Sequence, residues 1–112
     1  VQVPGSFELP AGARILHGQH KLDAVICLGC VIKGETSHNE YINNAVAQGL
    51  TSLSIATGSP FIFGVLTPND EQQALDRAGG QHGNKGVEAA VTAIRMAALK
   101  KNPDQEKRKI GF

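Results

Sequence analysis

The side chains best suited to chemistry lie between Gly29 and Tyr41, where an apolar run ends at a glycine turn and a helix is predicted to begin. Ser37 stands three residues before Glu40, the spacing of a capping box, so we expect Ser37 to cap that helix. The free N–H groups of the first turn and the positive end of the helix dipole favour a phosphate there. His38 lies in the same turn, and imidazole accepts and returns protons near neutral pH. The segment therefore predicts phosphate binding beside proton transfer.

Other patterns leave different chemistry open. Cys27 and Cys30 form a C-x-x-C, which permits redox or zinc chemistry, but residues three apart in a strand point to opposite faces. The plainer interpretation is two buried thiols. His17 and His20 are spaced to share a helix face and could hold a metal, although no second pair of ligands accompanies them. We therefore favour a solvated helix end for these two histidines.

The glycine-spaced segment that precedes the predicted helix also nearly matches a P-loop. The lysine that a P-loop requires is replaced by Glu35, whose carboxylate would repel nucleotide phosphates. Structural roles compete with chemical ones elsewhere: Phe7 could fill a core that has few aromatic residues, and Glu8 and Arg77 could lie on solvated helix faces. On its own, His38 could be a histidine of a helix cap.

The composition indicates a small soluble domain. The chain has 112 residues, of which 41% are hydrophobic and 19% charged, and its net charge is +1. This length suits a thin core, and we expect residues 1–112 to form a single domain. The near-neutral balance provides no basic field for nucleic acid, and no apolar run reaches the roughly 20 residues that span a bilayer. We therefore expect a cytoplasmic chain without a nucleic-acid or membrane partner.

Apolar periodicity predicts alternating strands and helices that would position these side chains. The predicted elements are the end of a strand at residues 1–3, a helix at 7–20, a strand at 24–32, a helix at 37–53, a strand at 61–66, a helix ending near 77–79 and a helix at 84–101. This order predicts an α/β fold with three layers, α/β/α, around a central parallel sheet. The continuous apolar run at 24–32 predicts a strand covered on both faces. The charged segment 104–109 is expected to be exposed or docked on a neighbour.

The carboxyl ends of parallel strands are where ligands bind in such sheets. The loops after Val3, Ile32 and Leu66 are expected to meet at this edge. They would bring together an aromatic ring, a carboxylate, a phosphate site and a histidine, supplied by Ser6, Phe7, Glu8, Glu35, Thr36, His38 and, late in the third strand, Phe63. This inventory suits a heterocyclic substrate together with a small phosphorylated one.

Four motifs, in this order, resemble 6,7-dimethyl-8-ribityllumazine synthase over nearly the whole chain. They are Pro4-Gly5-Ser6-Phe7-Glu8-Leu9-Pro10, the segment from Gly29 to His38, Phe63-Gly64-Val65-Leu66-Thr67 with Gln73-Ala74 and Arg77-Ala78-Gly79, and Gly83-Asn84-Lys85-Gly86 with Glu88-Ala89-Ala90. The resemblance implies the penultimate step of riboflavin synthesis. In that step 5-amino-6-(D-ribitylamino)uracil condenses with 3,4-dihydroxy-2-butanone 4-phosphate, and neither cofactor nor metal is implied.

The resemblance also implies how the aminouracil is bound. Phe7 would stack on the pyrimidine, and Ser6 and Glu8 would hold the ribityl hydroxyls. Phe63 would join the same pocket from an adjacent subunit. The uracil edge would be contacted, largely through backbone, by Cys30, Val31 and Ile32.

For the phosphorylated substrate, the resemblance implies a site at the start of the predicted helix. Glu35 and Thr36 would form a phosphate nest, and Arg77 would pair with the phosphate as a planar bidentate donor. Lys85 would add a second positive charge near the phosphate or the ribityl chain. His38 would shuttle protons, which makes His38 and Arg77 the expected catalytic residues.

Assembly is a further implication of the resemblance. Members of the family form pentamers, some join twelve pentamers into an icosahedral shell, and association with riboflavin synthase is allowed. The short link from Gly79 to Gly86 resembles the shell-forming branch. The sequence departs from the family at its start, because it opens with Val1-Gln2-Val3 and no Met, so we expect an upstream strand, helix and aromatic residue to be missing. An inactive shell-forming or ligand-binding scaffold of the same fold is the alternative.

Overall fold

Two parallel strands form the centre of the fold. In the computed structural model, which describes residues 1–104, β1 (Val25–Cys30) pairs with β2 (Phe61–Leu66) along all six residues of each strand. Both strands are rich in apolar and β-branched residues, which favour extended backbone. Helix α2 (His38–Thr57) connects them and supplies the crossover that a parallel pair requires.

The remaining elements flank this pair. They are a 3₁₀ turn at Ser6–Glu8, α1 (Leu9–Gln19), α3 (Glu71–Arg77), the short hairpin strands β3 (Ala78–Gly80) and β4 (Gly83–Asn84), and α4 (Lys85–Lys101). Side-chain caps fix two helix starts, because Asp70 Oδ1 accepts from the Gln73 N–H at 2.9 Å and Asn84 Oδ1 from the Val87 N–H at 3.1 Å. No helix among the described residues is both long and apolar enough to cross a membrane.

Helices cover both faces of the parallel pair. On one face α1 and α2 pack on the strands, and Val46 and Leu50 of α2 are almost completely buried against Cys27 and Val65. On the other face α4 places Ala89 and Ala93 over Ile62 of β2. The predicted three-layer α/β/α arrangement with a parallel sheet is therefore confirmed.

Three local predictions are wrong. Residues 1–3 form no strand, and the helix predicted to begin at Phe7 begins at Leu9, after the 3₁₀ turn. The second face of β1 is only partly covered, since Ile26 and Leu28 remain 43% and 57% exposed. The cause is the position of α4, which lies mainly over β2. The predicted placement of segment 104–109 lies outside the described residues except for Asp104, which is exposed.

Glycine permits close packing at two helix contacts. A Cβ on Gly49 of α2 would lie 2.8 Å from Pro10 Cγ, so α1 and α2 approach here as only glycine allows. A Cβ on Gly64 of β2 would lie 3.1 Å from the Cys27 carbonyl oxygen and 3.2 Å from Ala89 Cβ. The close packing of α4 on the sheet therefore requires a residue without a side chain at Gly64.

We expect Gly64→Ala to lower the free energy of unfolding by about 1–3 kcal/mol, the usual effect of overpacking a core. Gly34→Ala is the matched control, because a Cβ on Gly34 meets no atom within 4 Å, and its effect should stay within about 0.5 kcal/mol. Urea unfolding of both variants measures the difference. Equal stabilities would show that α4 can shift away from the strand without cost.

Candidate active site

The loops after β1 and β2 are joined by backbone hydrogen bonds at the carboxyl edge of the sheet. The Val31 N–H donates to the Leu66 carbonyl at 2.8 Å, and the Lys33 N–H donates to the Pro68 carbonyl at 2.9 Å. Pro68 is fully buried. The pairing of the strands thus continues into both loops, which fixes the start of the loop that leads to α2.

Helix α2 begins at His38, but the predicted capping box is absent. Ser37 occupies the N-cap position, yet its side chain makes no capping hydrogen bond. Its backbone has φ −80° and ψ 16°, whereas a capping serine normally has extended backbone. The Thr36 hydroxyl instead accepts from the His38 N–H at 3.3 Å. The side chain that caps the helix is therefore that of Thr36, one residue before the predicted Ser37.

Glu35, Thr36 and His38 are all exposed. The first turn of α2 and its imidazole consequently face solvent, although the His38 N–H donates to the Thr36 hydroxyl and the Glu40 N–H donates to the Ser37 carbonyl at 3.0 Å. A helix start of this kind attracts an anion, and a twenty-residue helix has a full dipole behind it. The arrangement can hold a phosphate and exchange protons at adjacent positions.

The 3₁₀ turn lies against the end of β1. A Cβ on Gly29 would lie 2.7 Å from Ser6 Oγ, so the serine hydroxyl sits directly over this glycine. Phe7 is 60% exposed, and Glu8 is also exposed. A ring and a carboxylate therefore stand free near the carboxyl edge, where a ligand could meet them.

The two cysteines point to opposite faces of β1, as the strand interpretation predicts. Cys27 is buried and Cys30 is exposed, so the expectation of two buried thiols is wrong for Cys30. Val31 is half-buried, and Ile32, which follows, is 45% exposed. Exposure makes Cys30 and Ile32 accessible at the end of β1, where the uracil edge is expected.

Phe63 lies earlier in its strand than predicted. It is the third residue of β2, opposite Cys27, and it is half-buried against the core formed with α1 and α2. No ring contact joins it to Phe7 within residues 1–104.

The hairpin brings two cations together. β3 and β4 pair Ala78 with Asn84, so Arg77, just before the hairpin, and Lys85, just after it, occupy neighbouring backbone positions. Arg77 is exposed and Lys85 half-buried. No hydrogen bond or ion pair among the described residues links either cation to His38. The single chain thus assembles the cation pair and the helix start as two separate parts.

The predicted metal ligands take other roles. His17 Nε2 lies 3.1 Å from Ser59 Oγ, whereas His20 stands at the end of α1. No group of three or more histidine, cysteine, aspartate or glutamate side chains within residues 1–104 is arranged to hold a metal ion. Metal or redox chemistry at His17, His20, Cys27 or Cys30 therefore gains no support from these contacts.

Sequence patterns did not identify some of the residues that shape this edge. The buried Pro68 accepts the hydrogen bond that anchors Lys33, and the hairpin that unites Arg77 with Lys85 was not predicted. Only the hairpin left a signal, because Gly79 and Gly83 adopt φ of 111° and 103°, which glycine allows. The Lys33 to Pro68 bond depends on loop geometry that no local pattern encodes.

The fold has helices layered on a parallel sheet, and its loops at the carboxyl edge are accessible to ligands. These features define an α/β protein of the class that binds small molecules at strand ends. The sequence model of the 6,7-dimethyl-8-ribityllumazine synthase family matches residues 1–101. The chain belongs to this family.

Several curated proteins named 6,7-dimethyl-8-ribityllumazine synthase are similar to the chain. One from Cytophaga hutchinsonii is 57% identical over 86% of the chain and 60% of its own length. One from Parabacteroides distasonis is 57% identical over 85% of the chain and 59% of its own length. One from Porphyromonas gingivalis is 54% identical over 88% of the chain and 62% of its own length. The chain thus spans about 60% of the length of these relatives.

We expect a thiol reagent at pH near 8 to modify Cys30 in the folded protein and Cys27 only after denaturation. Burial raises the pKa of the Cys27 thiol to about 11, so it stays protonated and shielded, whereas Cys30 is exposed. Counting released thiolate before and after adding denaturant measures this. Cys30→Ser should abolish the reaction of the folded protein and Cys27→Ser should preserve it; the opposite pattern would contradict the assigned faces of β1.

Proposed function

We propose that the chain forms part of a transferase that condenses 5-amino-6-(D-ribitylamino)uracil with 3,4-dihydroxy-2-butanone 4-phosphate to 6,7-dimethyl-8-ribityllumazine, the penultimate step of riboflavin synthesis. Membership of the family and the names of relatives at 54–57% identity support this reaction. The observation that carries it is the joining of the two carboxyl-edge loops beside His38 at the start of α2.

The proposed site holds the aminouracil at the end of β1. Ser6 over Gly29 and the exposed Glu8 would bind ribityl hydroxyls, while Phe7 stacks on the ring. The backbone at Cys30, Val31 and Ile32 would contact the uracil edge. Phe63 would complete the pocket from a second copy of the chain.

The phosphate would bind at the first turn of α2 and be approached by the hairpin cations. Backbone N–H groups near Glu35 and Thr36 offer donors, so the carboxylate of Glu35 need not face the anion. Arg77 supplies a bidentate donor and Lys85 a further charge. These groups would stabilise the phosphate as it leaves.

In the proposed reaction the 5-amino nitrogen attacks the ketone carbon, and loss of water gives an imine. The C3 proton is then removed as the bond between C4 and the phosphate oxygen breaks, and the resulting enol takes up a proton at C4 to give a ketone at C3. The ribityl-bearing nitrogen attacks this new carbonyl carbon, which closes the ring, and a second water leaves. His38 would accept and return the protons of these steps. Its exposure at the helix start lets it reach both substrates.

Homo-oligomer formation is part of the proposal, as pentamers or as a shell of twelve pentamers, with a cytoplasmic location and association with riboflavin synthase as further expectations. Exposed apolar side chains support association. Tyr41 and Ile55 of α2 are 71% and 79% exposed, and Val87 and Ile94 of α4 are 59% and 70% exposed. Exposed apolar side chains that recur along two helices in this way are compatible with cover by a partner.

The test is an assay of lumazine absorbance with both substrates, using the 112-residue chain and a version extended with the upstream segment of the Cytophaga hutchinsonii relative. We expect product from the extended chain. In that background His38→Ala should lower kcat about 10²-fold or more, the usual contribution of a general acid–base residue.

His82→Ala is the matched control, because His82 is exposed in the hairpin and bonds Asp76 through its backbone only. It should leave kcat unchanged. An unchanged kcat in His38→Ala would remove His38 from proton transfer. Absence of product from both chains, with correct folding, would favour the inactive scaffold.

A further inference from the structure

A second concave surface lies at the amino ends of the strands, opposite the candidate active site. This cleft has a volume of about 300 Å³ and opens between the end of α2, the start of β2 and the end of α4. Its apolar walls are formed by Pro60, Phe61, Ile62, Met96 and Leu99. Among the residues 1–104 that the structure describes, the polar side chains in the lining are Ser54, Ser59 and Lys100, and no carboxylate is among them.

Ser59 organises the polar end of the cleft. It is only 4% exposed, and its hydroxyl accepts from Lys100 Nζ at 2.8 Å and lies 3.1 Å from His17 Nε2. The His17 ring in turn lies 5.3 Å from the Phe61 ring. A hydroxyl has one donor and two acceptor positions, and these two partners take up two of the three. Its role is to fix Lys100, with His17 as support.

Lys100 is the charged group that remains for a ligand. Only one of its three N–H groups is needed for Ser59, so the others stay open at the cleft. The neighbouring Lys101 instead pairs with Asp23 at 3.2 Å. Ser54 adds little, because its hydroxyl donates to the Leu50 carbonyl and accepts from the Phe61 N–H, each at 3.0 Å. An ammonium held in place loses less rotamer freedom when it binds.

We propose that this cleft binds a small amphipathic carboxylate, with its apolar body against Phe61, Met96 and Leu99 and its carboxylate on Lys100. Charge complementarity favours an anion over a cation or a neutral molecule, since an ammonium stands at the rim and the described part of the lining contains no acidic side chain. The volume is at the lower end of the range of small-molecule pockets, about 300–1,000 Å³, so the ligand must be short. The site is independent of the proposed lumazine chemistry.

The cleft carries its own reporter, because Met96 is the only methionine of the sequence. The protein, labelled with ¹³C at the methionine methyl group, is titrated with octanoate and separately with octanol while the methyl resonance is followed. We expect saturable shifts with octanoate. Lys100→Gln should weaken octanoate binding about fivefold, the scale of a partly exposed ion pair, and leave octanol binding unchanged.

Two further variants separate a specific anchor from general charge. Lys100→Arg keeps the positive charge and should keep octanoate binding, whereas Lys101→Gln removes a charge one residue away and should have no effect. Equal weakening by Lys101→Gln and Lys100→Gln, or equal loss of octanol binding in Lys100→Gln, would overturn the carboxylate anchor. A Met96 resonance that ignores octanoate but moves with protein concentration would assign the cleft to a second copy and also overturn the proposal.

Discussion

The parallel pairing of β1 with β2 is the interaction on which the other parts of the structure depend. Its hydrogen bonds do not end with the strands, because Val31 and Lys33 continue the pattern to Leu66 and Pro68. Two apolar strands in register, buried under α1 and α2 on one face, provide the rigid base. Two backbone hydrogen bonds join the loops of the candidate site to this base. The loop that leads to His38 is therefore tethered to the end of β2 rather than free.

The same pairing explains how one small chain separates two ligand surfaces. The carboxyl edge gathers exposed polar groups and a helix start, which suits charged and hydroxylated substrates. The amino edge instead gathers apolar side chains around a single fixed ammonium, Lys100. Between the two edges the core is thin, and contacts such as Gly64 against Ala89 let α4 pack closely enough to close it.

The order of elements could be predicted because it follows from local patterns. Apolar runs located both strands, and Asp70 and Asn84 carry the side chains that cap helices. The first turn of α2 could not be predicted in detail, because the spacing of Ser37 and Glu40 fits a capping box that the backbone angles of Ser37 do not allow.

The prediction that β1 is covered on both faces was wrong for a different reason. An apolar sequence such as Ile26 to Leu28 shows that a surface is suited to burial, but not which helix reaches it. Likewise, the site residues could be selected from the resemblance, while the pairing of Arg77 with Lys85 required the hairpin register. Tertiary contacts, rather than residue types, decide these points.

Amide hydrogen exchange measured by NMR tests most directly whether the strand pairing extends into the site loops. The Val31 and Lys33 amides should be protected to nearly the same degree as the amides inside β1, whereas the amide of Glu35, in the exposed part of the loop, should exchange much faster. If the amides of Val31 and Lys33 exchanged as fast as the amide of Glu35, the account would be contradicted, because the loop that leads to α2 and His38 would then not be held to β2.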